Sequence, residues 1–487
     1  MGHTACVTSP TNTDPVFDLA QRLSRLLGGQ ILRLQRLSGG ASRETWSFDL
    51  ERDGQVEGLI LRRDPPFTNA GVGRSGAMPL EARLFAAASA AKMPVPRVVA
   101  SGEADPDGVE TGFLVMTRIA GETIARKILR DEPYAHARKV LVHDLGAAIA
   151  KLHALPVDAI EGLEPSDRLE RYREMLDALE YPSPTFEIAY RWLKENQPKA
   201  PRQAVVHGDY RLGNVIVDEN GLASVLDWEL AHIGDPMEDL GWLSVRAWRF
   251  GGSGVVAGLG TLEELYAGYR SEGGEVDEHA VLWWIVAGTL IWGIMCALQA
   301  SAHTSGVNRS VELAAIGRRV SEQEHDLLEL LGAPAFDRSV VAAAGNALAV
   351  PPMLLNLDPT VVAASVRSSV SDFGVPHAAG LLEAVREYIE RDVFPSTTGR
   401  VQFHSRVAAN VLSTVARELI LGDDARRSFT ACHGAFGVAG ECELADRIRT
   451  GEFDDRRSEL LASLRDVVTY RLAIANPKHF GSLSSSV

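Results

Sequence analysis

Three polar residues in the segment 205–243 (VVHGDYRLGNVIVDENGLASVLDWELAHIGDPMEDLGWL) are spaced for chemistry: Asp209, Asn214 five positions on, and Asp227 after a short hairpin. A carboxylate can orient and deprotonate an acceptor hydroxyl, while an amide oxygen and a second carboxylate are hard oxygen ligands suited to Mg²⁺. These are the groups that phosphoryl transfer from a nucleotide requires. Asn220-Gly221 is a strong hairpin signal between the short runs at 215–217 and 223–226. Asn214 enters the first strand and Asp227 leaves the second, so both emerge at one end and can share a metal ion.

The elements that must hold these residues change character along the chain. The first 120 residues read as a small sheet carrying one helix. Runs at 45–50 (TWSFDL) and 59–63 (LILRR) flank the turn Asp53-Gly54, and runs at 96–100 and 113–119 flank Asp105-Pro106-Asp107-Gly108. Between the two pairs, 79–91 (PLEARLFAAASAA) has helix formers behind a first-turn proline. Helical patterns follow at 133–155, 166–179, 185–195, 262–272 and 310–331. Residues 280–302 form an uncharged run of 23, long enough to cross a bilayer. Gly288, Thr289, Gly293 and Gln299 inside it favour the buried core helix of a helical lobe.

HGDYRLGN followed by LDWE resembles the aminoglycoside phosphotransferase and choline kinase superfamily, which has a protein-kinase-like fold and acts on small molecules. The step from Asp209 to Asn214 repeats the kinase catalytic-loop pattern, with Gly208 where kinases carry Arg. The order LSGGAS, LRRDPP, VMTRIAGET, LHALP, HGDYRLGN and LDWELAHIGDPMEDLGWL over about residues 16–332 resembles, more narrowly, the phosphotransferase group that includes the kinase domains fused to certain acyl-CoA dehydrogenases.

The resemblance implies an α+β, two-lobed kinase-like fold followed by a small all-α domain. ATP and Mg²⁺ are its cofactors. It makes Asp209 the catalytic base and Asn214 and Asp227 the metal ligands. Arg211 either steadies the transferring phosphoryl group or fixes the loop by a salt bridge, and His207 supports the loop. Ser38, Gly39, Gly40 and Ser42 would let backbone amides approach the nucleotide. Met116 begins the connection between lobes (MTRIAG, 116–121), whose backbone would hold the purine edge. Asp235 and Asp239 read as caps and loop anchors.

One departure concerns the strand that ordinarily ends in Lys. The 49 basic residues are 7 Lys and 42 Arg, and none of the lysines precedes Lys92. Arg62, or Arg63 beside it, must therefore grip the α and β phosphates, with Glu81 on the following helix as ion-pair partner. A planar fork differs in reach and geometry from an ammonium.

The remaining sequence bounds the function. With 49 basic and 64 acidic residues the formal charge is −15, and there is no long basic run, which disfavours nucleic acid as a partner. Four cysteines without a CxxC pair and an N-terminus without an apolar stretch point to a reducing cytoplasm. The expected partner is a hydroxylated small molecule, with no membrane; homo-oligomerisation is neither required nor excluded. The expected activity is ATP-dependent phosphorylation of a hydroxyl, of a hydroxyacyl-CoA or related hydroxy acid. The alternatives are an aminoglycoside or choline-like amine as acceptor, and a catalytically silent nucleotide sensor.

The expected division is a flexible 1–15, a nucleotide-binding lobe 16–120, a helical lobe 121–332, a linker 333–376, a helical domain 377–475 and a tail 476–487. The last domain resembles an uncharacterised helical domain often attached to such phosphotransferases, through QFHSRVAANVLSTVAREL at 402–419. Helical spacing there predicts Val407, Val411, Val415 and Leu419 as the core face. Arg406, Asn410 and Arg417 share the other side, as an anion pocket, a solvated face or salt-bridge partners.

Overall fold

The computed structural model describes residues 15–37, 43–64, 77–103, 109–199, 202–346 and 376–481. The chain divides into two compact units. The first comprises Met1–Pro165, Arg202–Asp239 and Thr261–Val276; the second comprises Ser166–Pro201, Leu240–Gly260 and Asp277–Val487.

In the first unit a five-stranded antiparallel sheet has the order β1-β2-β3-β5-β4, from β1 (Gln30–Arg36), β2 (Glu44–Arg52), β3 (Gln55–Arg63), β4 (Val98–Gly102) and β5 (Phe113–Thr117). Asp53 and Gly54 both have positive φ, 53° and 74°, the geometry that matches strand twist in a two-residue hairpin. Helix α1 (Pro15–Leu27) places Leu19, Leu23 and Leu27 at four-residue steps against Phe48, Leu59, Leu61 and Val115 of the sheet. The side-chain period of two in β3 then decides the fate of two arginines: Arg63 shares the core face with Leu59 and Leu61, and Arg62 points to the other.

Helix α2 (Ala77–Ala90) follows β3, and α3 (Ala125–Arg130) and α4 (Ala137–His153) follow β5. Two small sheets complete the support. β6 (Ala204–Val206) pairs with β9 (His232–Gly234), and β7 (Val215–Val217) pairs with β8 (Leu222–Val225) in the register Val215↔Val225.

The second unit is helical. The helix Glu278–Thr304 is long and apolar enough to cross a membrane by length and composition, yet 78% of its most apolar window is buried inside the protein. Ile188 of the helix Pro184–Glu195 and Leu328 of Val320–Leu330 share one core with Phe436, Leu444, Ile448, Leu464 and Val468 from the C-terminal helices. A small antiparallel sheet with its helices is thus followed along the chain by an all-helical C-terminal region.

Several local expectations are corrected. The helix expected over 310–331 is two, Val311–Gly317 and Val320–Leu330; helical patterns at 400–421 and 425–436 merge into a single 38-residue helix, Gly399–Phe436, that runs through Gly422. The buried face of that helix is also different. Ala409, Ala416 and Leu421 are buried, while Val415 and Leu419 are exposed. Its small residues permit close approach, and buried Arg417 donates to the carbonyls of Ile474 (2.7 Å) and Ala475 (3.1 Å) at the end of the helix Arg457–Ala475. Those carbonyls have no partner within their own helix, so the guanidinium caps it. Arg406, Asn410 and Arg417 do not come together as an anion pocket: Arg417 directs its Nε and Nη2 to backbone carbonyls, and Arg406 lies over the Phe394 ring at 4.4 Å.

Candidate active site

The site is built on the loop after β6. His207 is fully buried, with Nε2 2.9 Å from the Leu226 carbonyl and Nδ1 accepting the Asp209 N–H at 3.2 Å. This pattern sets the tautomer with the proton on Nε2, and both ring nitrogens are engaged in holding the loop. Gly208 has φ +80°, and a Cβ there would stand 2.5 Å from the Leu230 carbonyl. An arginine at this position, as in protein kinases, has no room.

Asp239, fully buried in the first turn of the helix Met237–Ser244, accepts the N–H groups of both His207 (2.8 Å) and Gly208 (2.9 Å). It also meets His153 Nε2 of α4 at 3.0 Å, whose Nδ1 is 2.9 Å from the Tyr269 hydroxyl. Burial works to raise the Asp239 carboxyl, but the hydrogen bonds from His153 and from the His207 backbone N–H hold it below the ordinary carboxylate value. Asp235 caps the same helix by accepting Met237 N–H at 2.9 Å.

Asp209, Arg211 and Asn214 come together. Arg211 Nε lies 3.0 Å and 3.2 Å from the two Asp209 carboxylate oxygens, and Asn214 Nδ2 donates to Asp209 Oδ2 at 2.6 Å and to its carbonyl at 3.0 Å. Because the Asn214 amide nitrogen is committed to Asp209, its carbonyl oxygen is the end left to coordinate a cation. The β7–β8 hairpin brings Asp227 to the same end: Leu226 N–H donates to the Asn214 carbonyl at 2.9 Å, one residue before Asp227. Asp227 holds φ +65°, a left-handed conformation unusual for a residue with a side chain and one that collects at functional sites.

Arg62, Glu81 and Asp227 form the second group. One arm of Arg62 pairs with Glu81 Oε1, and the other donates to Asp227 Oδ1 at 2.9 Å. Arg63 instead binds Glu44 at 2.9 Å, on the opposite face of β3, so Arg62 is the arginine that reaches the site. Glu81 is 1% exposed, and Phe85 one turn further along α2 packs against Trp228 beside Asp227. Burial works to lower the Arg62 pKa, but the Glu81 and Asp227 carboxylates outweigh it and raise it above the ordinary arginine value. Met116 is buried in β5, paired with Ile60, apart from the polar cluster. Ser38, Gly39, Gly40 and Ser42 lie outside the described residues.

Two neighbours were not singled out by sequence reasoning. Arg43 binds Glu81 Oε2 at 2.7 Å and approaches Glu229 at 3.6 Å and Asp64 at 3.4 Å. Glu229 is raised above its ordinary value by burial first and by Asp227 second, with Arg43 and Arg62 opposing. Their positions gave a signal: Arg43 directly follows the Gly- and Ser-rich run 38–42 of the sequence, and Glu229 closes LDWE.

Among the described residues no group of three or more His, Cys, Asp or Glu is arranged to hold a metal by itself. One carboxylate and one amide oxygen are nonetheless a donor set that fits Mg²⁺, which keeps waters and takes phosphate oxygens as its remaining ligands.

Residues 33–274 match the phosphotransferase enzyme family (APH), and residues 395–479 match a domain of unknown function, DUF6285. Acyl-CoA dehydrogenase family member 10 of Mus musculus is 28% identical over 195 residues, covering 38% of this chain and 18% of that protein. Family member 11 of Homo sapiens is 25% identical over 228 residues, covering 44% of this chain and 28% of that protein. The chain thus spans less than a third of the length of these relatives. A solved structure from Ralstonia eutropha JMP134, described as an aminoglycoside phosphotransferase, matches with a TM-score of 0.52 and 21% identity over 64% of this chain and 97% of that one. Residues 33–274 are therefore a kinase-like phosphotransferase domain of the phosphotransferase enzyme (APH) family, followed in this chain by a DUF6285 domain.

Proposed function

We propose that this protein is an ATP-dependent small-molecule kinase that phosphorylates a hydroxyl group of a hydroxyacyl-CoA or a related hydroxy acid in the cytoplasm. The observation that carries the reading is the carboxylate of Asp209, held from both sides by Arg211 and Asn214 on a loop tied down by Asp239. A fixed carboxylate positioned this way accepts the hydroxyl proton and aims the oxygen, which is the positioning that phosphoryl transfer needs. Asn214 and Asp227 would hold Mg²⁺, which when bound supplies neutralising charge for the phosphates. Arg62, held by Glu81 and Asp227, has the charge and fork geometry to grip the α and β phosphates, and Arg211 the position to meet the transferring group. The Gly/Ser turn at 38–42 and the connection at Met116 complete the nucleotide side of the reading.

The acyl-CoA element rests on the relatives, which bear the name acyl-CoA dehydrogenase family members 10 and 11. The test is ATP consumption with Mg²⁺ across hydroxyacyl-CoAs, free hydroxy acids, aminoglycosides and choline, comparing wild type with Asp209→Asn. Turnover is expected on an acidic hydroxylated acceptor and not in the variant. Preference for aminoglycoside or choline would overturn the substrate class; ATP binding without turnover on any acceptor would leave a nucleotide sensor instead.

A further inference from the structure

In the first unit, the strand cation and a candidate metal ligand are bound to each other. Arg62 Nη2 donates to Asp227 Oδ1 at 2.9 Å, while Nη1 pairs with Glu81 Oε1. Glu81 does not depend on this contact for its place, because Arg43 Nη1 holds its other oxygen, Oε2, at 2.7 Å. Arg43 also lies 3.4 Å from Asp64 and 3.6 Å from Glu229. The line of alternating charges, Asp227, Arg62, Glu81, Arg43, is buried most deeply at Glu81. Side-chain exposure rises from 1% at Glu81 through 15% at Arg62 to 32% at Asp227, so a ligand arriving from solvent reaches the Asp227 contact before the Glu81 one.

Two arms make this arrangement possible. A lysine ammonium is a point charge that would divide its position between the two carboxylates, whereas the planar fork of an arginine sends one nitrogen to each. Asp227 contributes from a constrained backbone, at φ +65° and one residue after Leu226, whose N–H is bonded to the Asn214 carbonyl at 2.9 Å. Glu81 is fixed by Arg43. The part that can turn without disturbing either fixed point is the Arg62 side chain, pivoting on Glu81.

Under the function proposed above, on which this inference rests, both ends of the contact have a second use: Asp227 with Asn214 toward Mg²⁺, and Arg62 toward the α and β phosphates. The two uses conflict while the contact persists. A guanidinium at hydrogen-bond distance offsets the carboxylate charge that attracts a divalent cation, and it repels the cation as well. We propose that Arg62 competes with the metal for Asp227, and that nucleotide phosphates relieve the competition by drawing that arm of Arg62 to themselves. Metal and nucleotide then strengthen each other's binding reciprocally, through the arginine as well as through direct bonds between metal and phosphate.

The test is Mn²⁺ binding to the full chain, read from the electron paramagnetic resonance signal of free Mn²⁺, with and without ADP, so that no turnover is required. Arg62→Met is expected to bind Mn²⁺ alone about tenfold more tightly than wild type, and ADP to strengthen Mn²⁺ binding less in the variant than in wild type. Arg62→Lys keeps a charge for Glu81 but has one nitrogen in place of two arms, and is expected to gain part of that affinity. It carries the test if Arg62→Met fails to fold by circular dichroism. A pair that only braces the fold would move the melting temperature and leave Mn²⁺ affinity where it is. Affinity for Mn²⁺ no higher than wild type in the folded variants would overturn the proposal.

Asp227→Asn separates this inference from the function it rests on. Added to Arg62→Met, it is expected to abolish the gain in Mn²⁺ affinity. A gain that survives it would remove Asp227 as a metal ligand, and the proposed competition with it. If Asp227→Asn weakens Mn²⁺ binding in wild type while Arg62→Met leaves it unchanged, the metal site stands and the competition alone is overturned.

Discussion

Arg62 and Arg249 are both partly buried, yet their electrostatic surroundings are opposite. Arg62 lies between two fixed carboxylates, Glu81 and Asp227, which raise its pKa. Arg249 lies beside another arginine, and its pKa falls. The same side chain is a latch in the first unit, where it holds a helix and a strained loop residue together, and a cation beside a like charge in the second. What decides between the two is the number of fixed carboxylates within reach.

Removing each cation should therefore have unequal consequences. Arg62→Ala strips a charge from buried Glu81 and is expected to cost about 3 kcal/mol in urea unfolding, the lower end of what a broken buried pair costs because Arg43 remains on Glu81. Equal costs for Arg62→Ala and Arg249→Met would break the comparison.

Asp239→Ala extends the matched-charge side. It leaves two loop N–H groups and His153 without their acceptor and is expected to cost about 2 kcal/mol, with a fall in kcat because the Asp209 loop loses its anchor. Stability loss without any kinetic effect would separate the anchor from the chemistry.

A third expectation concerns pH in the second unit. Burial lowers His325 from its ordinary 6.5 to about 3, so the folded chain keeps it neutral while the unfolded chain takes up a proton below 6.5. Its contribution is complete above that value and is lost as pH falls toward about 3, at roughly 1.4 kcal/mol per pH unit. Asp326, lowered to about 2 despite burial by His479 and Arg246, adds loss only at the acid end, below 3.8. Stability measured against pH should lose most of its slope between 6 and 4 in His325→Gln; an unchanged slope would assign the titration elsewhere. The smallest effect is Arg249→Met, expected within about 0.5 kcal/mol of wild type or above it.

The sequence was most readable where chemistry and backbone coincide. Asp209, Asn214 and Asp227 are tied by a hairpin only a few residues long, so their convergence follows from local spacing and a turn signal. The choice between Arg62 and Arg63 could not be made from two adjacent identical residues; it required the register of β3 and knowledge of which face α1 covers. The helix Gly399–Phe436 misled for a related reason. Valine spacing marked one face as core, but a helix buries the face its partner occupies, and here Arg417 reaching distant carbonyls selected the other. Helix α1 was missed although its leucines recur at four-residue steps behind a proline.

The central claim is that Asp209 is the proton acceptor of a phosphoryl transfer supported by its fixed neighbours. The most direct measurement is kcat for the best acceptor in Asp209→Asn, with nucleotide affinity determined on the same sample. The account predicts a fall in kcat of roughly a hundredfold to ten-thousandfold at nearly unchanged nucleotide affinity. Undiminished turnover in the variant would contradict it.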